Sequence, residues 1–242
     1  MKMKIQYASD LHLEFSDNAS YIKYNPLEVV GDILVLAGDI GYLGDDNYSR
    51  HPFWDWASEN YQQVIVAMGN HEFYKFFDIA TLHDGYCLEI RHNVKAYYNA
   101  CVTIGDTDII VSTLWSHIPL NEAAFTERAV SDFKRIIYDR QCFEFIKCSI
   151  GTSMAKHKIV VTHHVPSFQM LCPKYKGSPV NGAFTVELAD FIEMSDIQYW
   201  IYGHSHYNVD VRIGNTLCVS NQLGYVFHNE HLSFKHDKHI EV

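Results

Sequence analysis

Asp10 and His12 stand two residues apart where the first apolar run of the chain, Ile5 to Ser9, comes to an end. At strand spacing, residues i and i+2 point the same way, so one cation could meet both. The pair alone is weak, because Asp-x-His arises often by chance. Four later apolar runs end in the same manner. Ile33–Ala37 leads into Gly38-Asp39, and Val64–Met68 into Gly69-Asn70-His71-Glu72. Ile159–Thr162 leads into His163-His164, and Tyr199–Tyr202 into Gly203-His204-Ser205-His206. Five strand-like runs, each followed at once by metal-capable side chains, form the pattern of a two-metal hydrolase.

Two divalent cations held close together need a bridging ligand, and a carboxylate with its two oxygens suits that role. Asp39 is the natural bridge. Asp10, His12 and one of His204 and His206 would complete one cation site. Asn70, His163 and the other terminal histidine would complete the second. Oxygen and nitrogen ligands without thiolate suit Mn, Fe, Zn, Co or Ni, and manganese is the favoured expectation. A metal pair about 3.5–4 Å apart deprotonates a bridging water and clamps both oxygens of an in-line displacement, which is the chemistry of phosphoester hydrolysis. His71 follows Asn70 directly. It lies near the cations without being an obvious ligand, and an imidazole can donate a proton to a leaving group near neutral pH.

The elements that must position these groups alternate along the chain. Strands are expected at about 32–37, 63–68, 95–99, 101–104, 108–114, 158–162, 198–202, 208–213, 216–220, 231–235 and 239–241, after the first at 5–9. Helices are expected at about 48–60, 78–91, 120–133, 141–156 and 185–194, and residues 14–28 read as a polar loop. Phe53, Trp54, Trp56 and Ala57 mark a buried helix face. The three strands between 95 and 114 follow one another without helices, which suggests antiparallel additions, with turns at Asn99 or Gly105-Asp106. A proline- and glycine-containing stretch of some 20 residues follows His164, and loops of that length in compact domains are often functional. No repeat or linker composition divides the chain, so a single domain over 1–242 is the expectation.

The 242 residues carry a formal net charge of −10, from 19 basic and 29 acidic side chains. A field of that sign repels polyanions, so long nucleic acid is a disfavoured partner. Six cysteines, at 87, 101, 142, 148, 172 and 218, include no C-x-x-C pair and are expected as reduced, packed thiols. Met1-Lys2-Met3-Lys4 runs straight into the first strand, leaving no room for a signal peptide. No apolar stretch approaches the roughly 20 residues that span a bilayer. A cytoplasmic protein without membrane contact is expected; the oligomeric state is not legible.

The ordered blocks Asp10-x-His12, Gly38-Asp39, Gly69-Asn70-His71-Glu72, His163 and Gly203-His204-x-His206 resemble the calcineurin-like metallophosphoesterase superfamily. All five of its motifs are present between residues 10 and 206. The resemblance implies an α/β fold, a four-layer α-β-β-α sandwich of two mixed sheets with the site at the strand ends. It implies one metal on Asp10, His12, Asp39 and His206, the other on Asp39, Asn70, His163 and His204, with His71 assisting the leaving group. Thr113-Leu114-Trp115, Val161 to Ser167 and Ser220-Asn221 are similar to a branch of small bacterial or phage-type phosphohydrolases. Glu72 replaces the Asp of many members, as in the protein serine/threonine phosphatases. The Asp-Arg-Gly of that branch is missing after Asp39, which counts against protein phosphatase activity.

The functional expectation is a metal-dependent esterase of a small phosphodiester, nucleotide-like in the first instance. Phosphomonoesterase comes next, and a non-catalytic metal-binding scaffold of the same fold is the alternative from another class. A nuclease is disfavoured, since no Lys/Arg-rich run offers a track for a phosphate backbone. Trp115, His164 and Asn181 are candidate substrate contacts.

Overall fold

The structure is a computed structural model that describes residues 2–75, 77–134 and 139–242. Its strands are β1 (Lys4–Ala8), β2 (Ile33–Ala37), β3 (Gln63–Ala67), β4 (Tyr86–Arg91), β5 (Val94–Tyr98), β6 (Ala100–Ile104), β7 (Thr107–Ser112), β8 (His157–Thr162), β9 (Tyr199–Tyr202), β10 (Val211–Ile213), β11 (Thr216–Ser220) and β12 (His239–Glu241). The α-helices are α1 (Ser16–Tyr24), α2 (Asn47–Arg50), α3 (Pro52–Asn60), α4 (Leu120–Ala129), α5 (Asp139–Thr152) and α6 (Ala189–Glu193).

Two six-stranded sheets result, in the orders β12-β1-β2-β3-β5-β4 and β10-β11-β9-β8-β7-β6. The inner strands are parallel, and antiparallel pairing is confined to the edges: β12 on β1, β4 on β5, β10 on β11 and β6 on β7. Asn99, with φ of 43°, turns the chain from β5 in one sheet to β6 in the other. Its side chain is held at both ends, by Ser112 Oγ at 2.6 Å and Asp84 Oδ1 at 2.8 Å.

The period-2 alternation of each inner strand feeds two cores at once. Ile33, Val35 and Ala37 of β2 meet Ile109, Val111, Ile159, Val161 and Ile201 in the core between the sheets. Leu34 and Leu36 face the other way, toward Trp54 and Ala57 of α3. Ile110, Val160, Trp200 and Cys218 of the second sheet pack against Ile146 of α5 and Ile192 of α6. Three cores separate four layers, helix, sheet, sheet and helix, which is the sandwich expected from the resemblance. All six cysteines are free thiols.

Several expected elements differ. Residues 78–91 do not form a helix: a 3-10 turn at Ile79–Thr81 precedes the edge strand β4. Residues 14–28 are not all loop, because α1 lies there; it buries only Asn18 and Ile22, so it shows no apolar stripe. Residues 231–235 do not form a strand, since Glu230–Ser233 is a 3-10 turn that leaves Leu232 exposed. The helix expected over 48–60 is two helices, with Pro52 starting the second and the His51 ring accepting from Phe53 N–H at 3.2 Å. That arrangement follows from proline at a first helical position.

Candidate metal centre

The parallel inner strands place the ends of β1, β2, β3, β8 and β9 along one edge of the sandwich. The loops that follow are laced together. Asp10 N–H donates to Gly38 O, His12 N–H to Asp39 O, and Gly203 N–H to His163 O, each at 2.9–3.0 Å. Asp10, His12, Asp39, His204 and His206 all have left-handed backbones, with φ from 47° to 73°. Such conformations are uncommon for non-glycine residues and cluster where function needs a sharp re-aiming of side chains. The convergence of Asp10 and His12 therefore comes from a turn beyond β1, not from the pleat of an extended strand. Glycines leave room for it. A Cβ on Gly69 would fall 2.6 Å from Asp39 N and run into Asp39 Oδ1; one on Gly203 would sit 2.7 Å from Asp10 Oδ2.

Three groups of donors form among the described residues, one of them His12 with Glu14 and His71; the other two hold the expected ligands. Asp10, His12 and His206 make one, and Asp39, His163 and His204 the other, each with its ligand atoms within 4.8 Å of one another. In the first, His12 Nε2 and His206 Nε2 face each other at 3.1 Å, and His206 Nε2 lies 3.4 Å from Asp10 Oδ1. In the second, His163 Nε2 lies 3.1 Å from His204 Nδ1, 3.2 Å from Asp39 Oδ1 and 2.7 Å from Asn70 Oδ1. Asp39 reaches both groups, with Oδ2 at 3.8 Å from His12 Nε2.

A surrounding shell fixes which atoms face inward. His163 Nδ1 meets Ala37 O at 2.9 Å, His206 Nδ1 meets Glu230 Oε2 at 2.6 Å, and His12 Nδ1 meets Glu14 Oε1 at 3.2 Å. Each of these Nδ1 atoms faces an acceptor, so a cation that displaces the proton from Nε2 would find the Nε2 lone pair turned to the centre. Asn70 Nδ2 donates to Tyr74 Oη and Asp132 Oδ2, both at 3.0 Å, which sets its Oδ1 toward His163. Carboxylate, imidazole and carboxamide acceptors thus converge with few protons between them. That donor set fits a pair of divalent cations, and its nitrogen and oxygen character suits first-row transition metals.

The electrostatics agree. Burial disfavours the charged His163 imidazole, yet Asp39 and the other acceptors lift it to about 9. Burial opposes His206 too, and Asp10 with Glu230 raises it to about 10. Burial works against the Asp39 carboxylate, but His163 and His71 hold it well below the ordinary carboxylate range. The centre attracts positive charge, whether proton or metal.

His71 stands apart from the two groups of expected ligands. Its Nδ1 meets Glu14 Oε1 at 2.7 Å, its Nε2 lies 3.9 Å from Asp39 Oδ2, and Tyr42 stacks on its ring at 5.7 Å. His71 also lines the cleft. Glu72 turns inward instead. Its carboxylate accepts from Asp39 N–H, Ile40 N–H and Gly69 N–H at 2.8–2.9 Å and so ties the end of β2 to the end of β3. Burial and the Asp39 carboxylate push Glu72 up to about 7, while the backbone donors pull it back toward ionisation.

Of the candidate substrate contacts, Asn181 lines the cleft. Trp115 and His164 are fully buried, their rings 5.3 Å apart beneath the site. His164 Nδ1 is bonded to Thr113 O, and burial with the neighbouring His163 lowers this imidazole to about 3. Both side chains pack; neither reaches the cleft surface. Glu14, Asp132 and Glu230 escaped sequence reasoning. Only Glu14 carried a signal, as the third member of Asp10-x-His12-x-Glu14.

The cleft above the centre has a volume of about 900 Å³. Tyr225 flanks it, its ring 4.7 Å from His12 and 4.6 Å from His206, and Phe184 stacks on His204 at 4.9 Å. Among the described residues, Lys174 is the one Lys or Arg side chain in its lining, against the carboxylates of Asp39, Asp132 and Glu230.

A two-sheet sandwich with Asp, Asn and His at its strand ends defines the metallophosphoesterase class. The chain belongs to the calcineurin-like phosphoesterase family, whose sequence signature matches residues 3–208. It is similar to the uncharacterized protein L509 of Acanthamoeba polyphaga mimivirus, at 26% identity over 260 residues, covering 91% of each chain. In fold it is similar to the phosphopantetheinyl hydrolase of Mycobacterium tuberculosis. That likeness has a TM-score of 0.70 at 16% identity, covering 100% of this chain and 96% of the other. No helix among the described residues is long and apolar enough to cross a membrane.

Proposed function

We propose that this family member is a dinuclear phosphodiesterase of small substrates. In this reading Asp10, His12, Asp39 and His206 hold one divalent cation, and Asp39, Asn70, His163 and His204 hold the other, with manganese favoured. The observation that carries the reading is the pair of donor groups joined through Asp39, whose two oxygens face different histidines, His163 and His12. When bound, the cations supply Lewis acidity toward the phosphoryl oxygens and an acidified water as nucleophile.

The chain's own residues do the rest. His71 holds a proton at Nε2, its Nδ1 being taken by Glu14, and delivers it to the departing alkoxide. Burial disfavours its charged form, but Asp39 and Glu14 raise the His71 pKa above the ordinary imidazole value. Tyr225 and Phe184 offer flat apolar faces beside the centre for the ester's organic arms. Asn181, in the cleft lining, is placed to meet a polar group of those arms.

Charge supports diester over monoester. A monoester dianion is usually met by added Arg or Lys, and among the described residues the cleft lining offers only Lys174. A monoanionic diester needs less positive charge, and the net charge of −10 disfavours polyanions further.

The test is parallel hydrolysis of bis(p-nitrophenyl) phosphate and p-nitrophenyl phosphate by chelator-stripped protein resupplied with Mn²⁺. Faster diester turnover is expected. Faster monoester turnover moves the assignment to phosphomonoesterase. Turnover of neither ester by protein holding two cations argues for a metal-binding scaffold.

A further inference from the structure

Asn70 is the least self-evident member of the centre, because its amide could face either way. A carboxamide offers an acceptor oxygen on one side and a donor NH₂ on the other, and the two ends have nearly the same shape. Only the sense with Oδ1 inward makes Asn70 a ligand. Something must fix that sense.

Two groups touch its NH₂, Tyr74 just beyond β3 and Asp132 from the turn after α4. Tyr74 Oη lies 3.0 Å from Asn70 Nδ2, and Ser131 Oγ lies 3.1 Å from the same hydroxyl. A hydroxyl both donates and accepts, so Tyr74 would satisfy the amide in either sense. Asp132 Oδ2 also lies 3.0 Å from Asn70 Nδ2. Asp132 receives that NH₂ on a carboxyl oxygen, which favours the NH₂ over the amide oxygen. Asp132 is nearly sealed from solvent, at 4% exposure. It comes from the 3-10 turn Ser131–Lys134 that follows α4, remote in sequence from every strand-end motif. That turn also forms cleft wall, since Val130, Ser131 and Asp132 line the cleft.

We infer that Asp132 is the positioning residue that locks the Asn70 amide with its oxygen toward the Asp39–His163–His204 group. Asp132 thereby decides whether the second cation site has its carboxamide ligand. Its contact with the centre runs through the Asn70 amide, at 3.0 Å. The inference rests on the reading of Asn70 as a ligand given above. It also joins the wall of the cleft to the metal centre through one hydrogen-bonded pair.

Asp132→Leu removes the acceptor and leaves Tyr74, which supports either sense. Asp132→Glu keeps a carboxylate acceptor there, and Asp132→Asn puts in a carboxamide, which meets the Asn70 amide in either sense. Calorimetric titration of Mn²⁺ into chelator-stripped protein reads both sites without any substrate. In wild type, two binding events are expected. In Asp132→Leu, one event weakens by about 10- to 100-fold, the usual effect of losing such an outer partner, and the other is unchanged. Asp132→Asn weakens the same event, and Asp132→Glu retains more of the affinity.

Thermal melting of the stripped variants separates positioning from damage, because a purely structural role would lower the melting point without singling out one event. If Asp132→Leu does not fold, Asp132→Ala carries the same expectation. Two wild-type affinities in the Leu or Ala variant would overturn the inference and leave the two-cation reading standing. Equal weakening of both events would also overturn it. A wild-type protein that binds fewer than two Mn²⁺ would remove the reading beneath it.

Discussion

His71 and the ligand groups differ in how much chemistry demands of them. Cation binding restricts side chains to a few types, so Asp10, His12, Asp39, Asn70, His163, His204 and His206 stood out from type and place alone. Their supporting partners did not. Glu14, Asp132 and Glu230 are ordinary acidic residues by type, and their meaning lies in which atom they touch. Sequence spacing could suggest Glu14, but nothing local relates Asp132 to Asn70. The same limit explains Trp115 and His164, whose types suggested contacts while their burial makes them core. A proton donor has a testable signature at this scale. His71→Asn is expected to slow hydrolysis of an alkyl diester by about 10²- to 10⁴-fold. The same change should slow a p-nitrophenyl diester far less, since that leaving group needs little protonation. Steady-state rates on the two substrates check this, and equal losses on both would speak for a binding role instead. Glu14→Gln, which keeps an acceptor for His71 Nδ1, should retain more activity than Glu14→Ala in the same assay.

At the scale of elements, the site depends on how strand ends are tied together. The inner parallel strands were legible because both of their faces are apolar, and each ended on chemistry-bearing residues. The edges were not. β4 lies at an edge with Cys87 and Glu89 exposed, and its ragged pattern read as a helix. α1 was missed because its inner face is held by a polar residue. Asn18 Nδ2 donates to Leu11 O at 3.0 Å and to Gly224 O at 2.8 Å, seating the helix on the loop that carries Asp10 and His12. Glu72 does comparable work between β2 and β3. Glu72→Ala would remove the acceptor of four buried backbone N–H groups, those of Asp39, Ile40, Gly41 and Gly69, and each such loss costs about 1–3 kcal/mol. Urea denaturation of the metal-free variant is therefore expected to show a loss on the order of 3 kcal/mol or more; a loss below 1 kcal/mol would mean that water replaces the carboxylate freely. Gly69→Ala tests the same junction, as its methyl would press on Asp39 N at 2.6 Å. Weakened Mn²⁺ binding is expected, measured by the same calorimetry.

The whole molecule brings groups from residue 10 to residue 206 into one cluster, so cation binding and folding are linked. Acceptors converging from both sheets repel one another until positive charge lies between them. Free cation at about 100 times its dissociation constant stabilises a protein by about 2.7 kcal/mol per site. Mn²⁺ is accordingly expected to raise the thermal midpoint of stripped protein, and Mg²⁺, which prefers all-oxygen surroundings, to raise it less. Differential scanning calorimetry reads the difference. On the proposed reading, the overall charge of −10 and the single cationic side chain among the described residues of the cleft lining act at the same scale, favouring a compact, weakly charged ester over a long polyanion.

The central claim is that two cations, jointly held through Asp39, make the catalyst. The most direct measurement is diester turnover by stripped protein as Mn²⁺ is added stepwise, with bound metal counted at each step. Little turnover is expected at one equivalent, and full activity on filling the second site. Full activity with a single cation bound, or none with two, would contradict it.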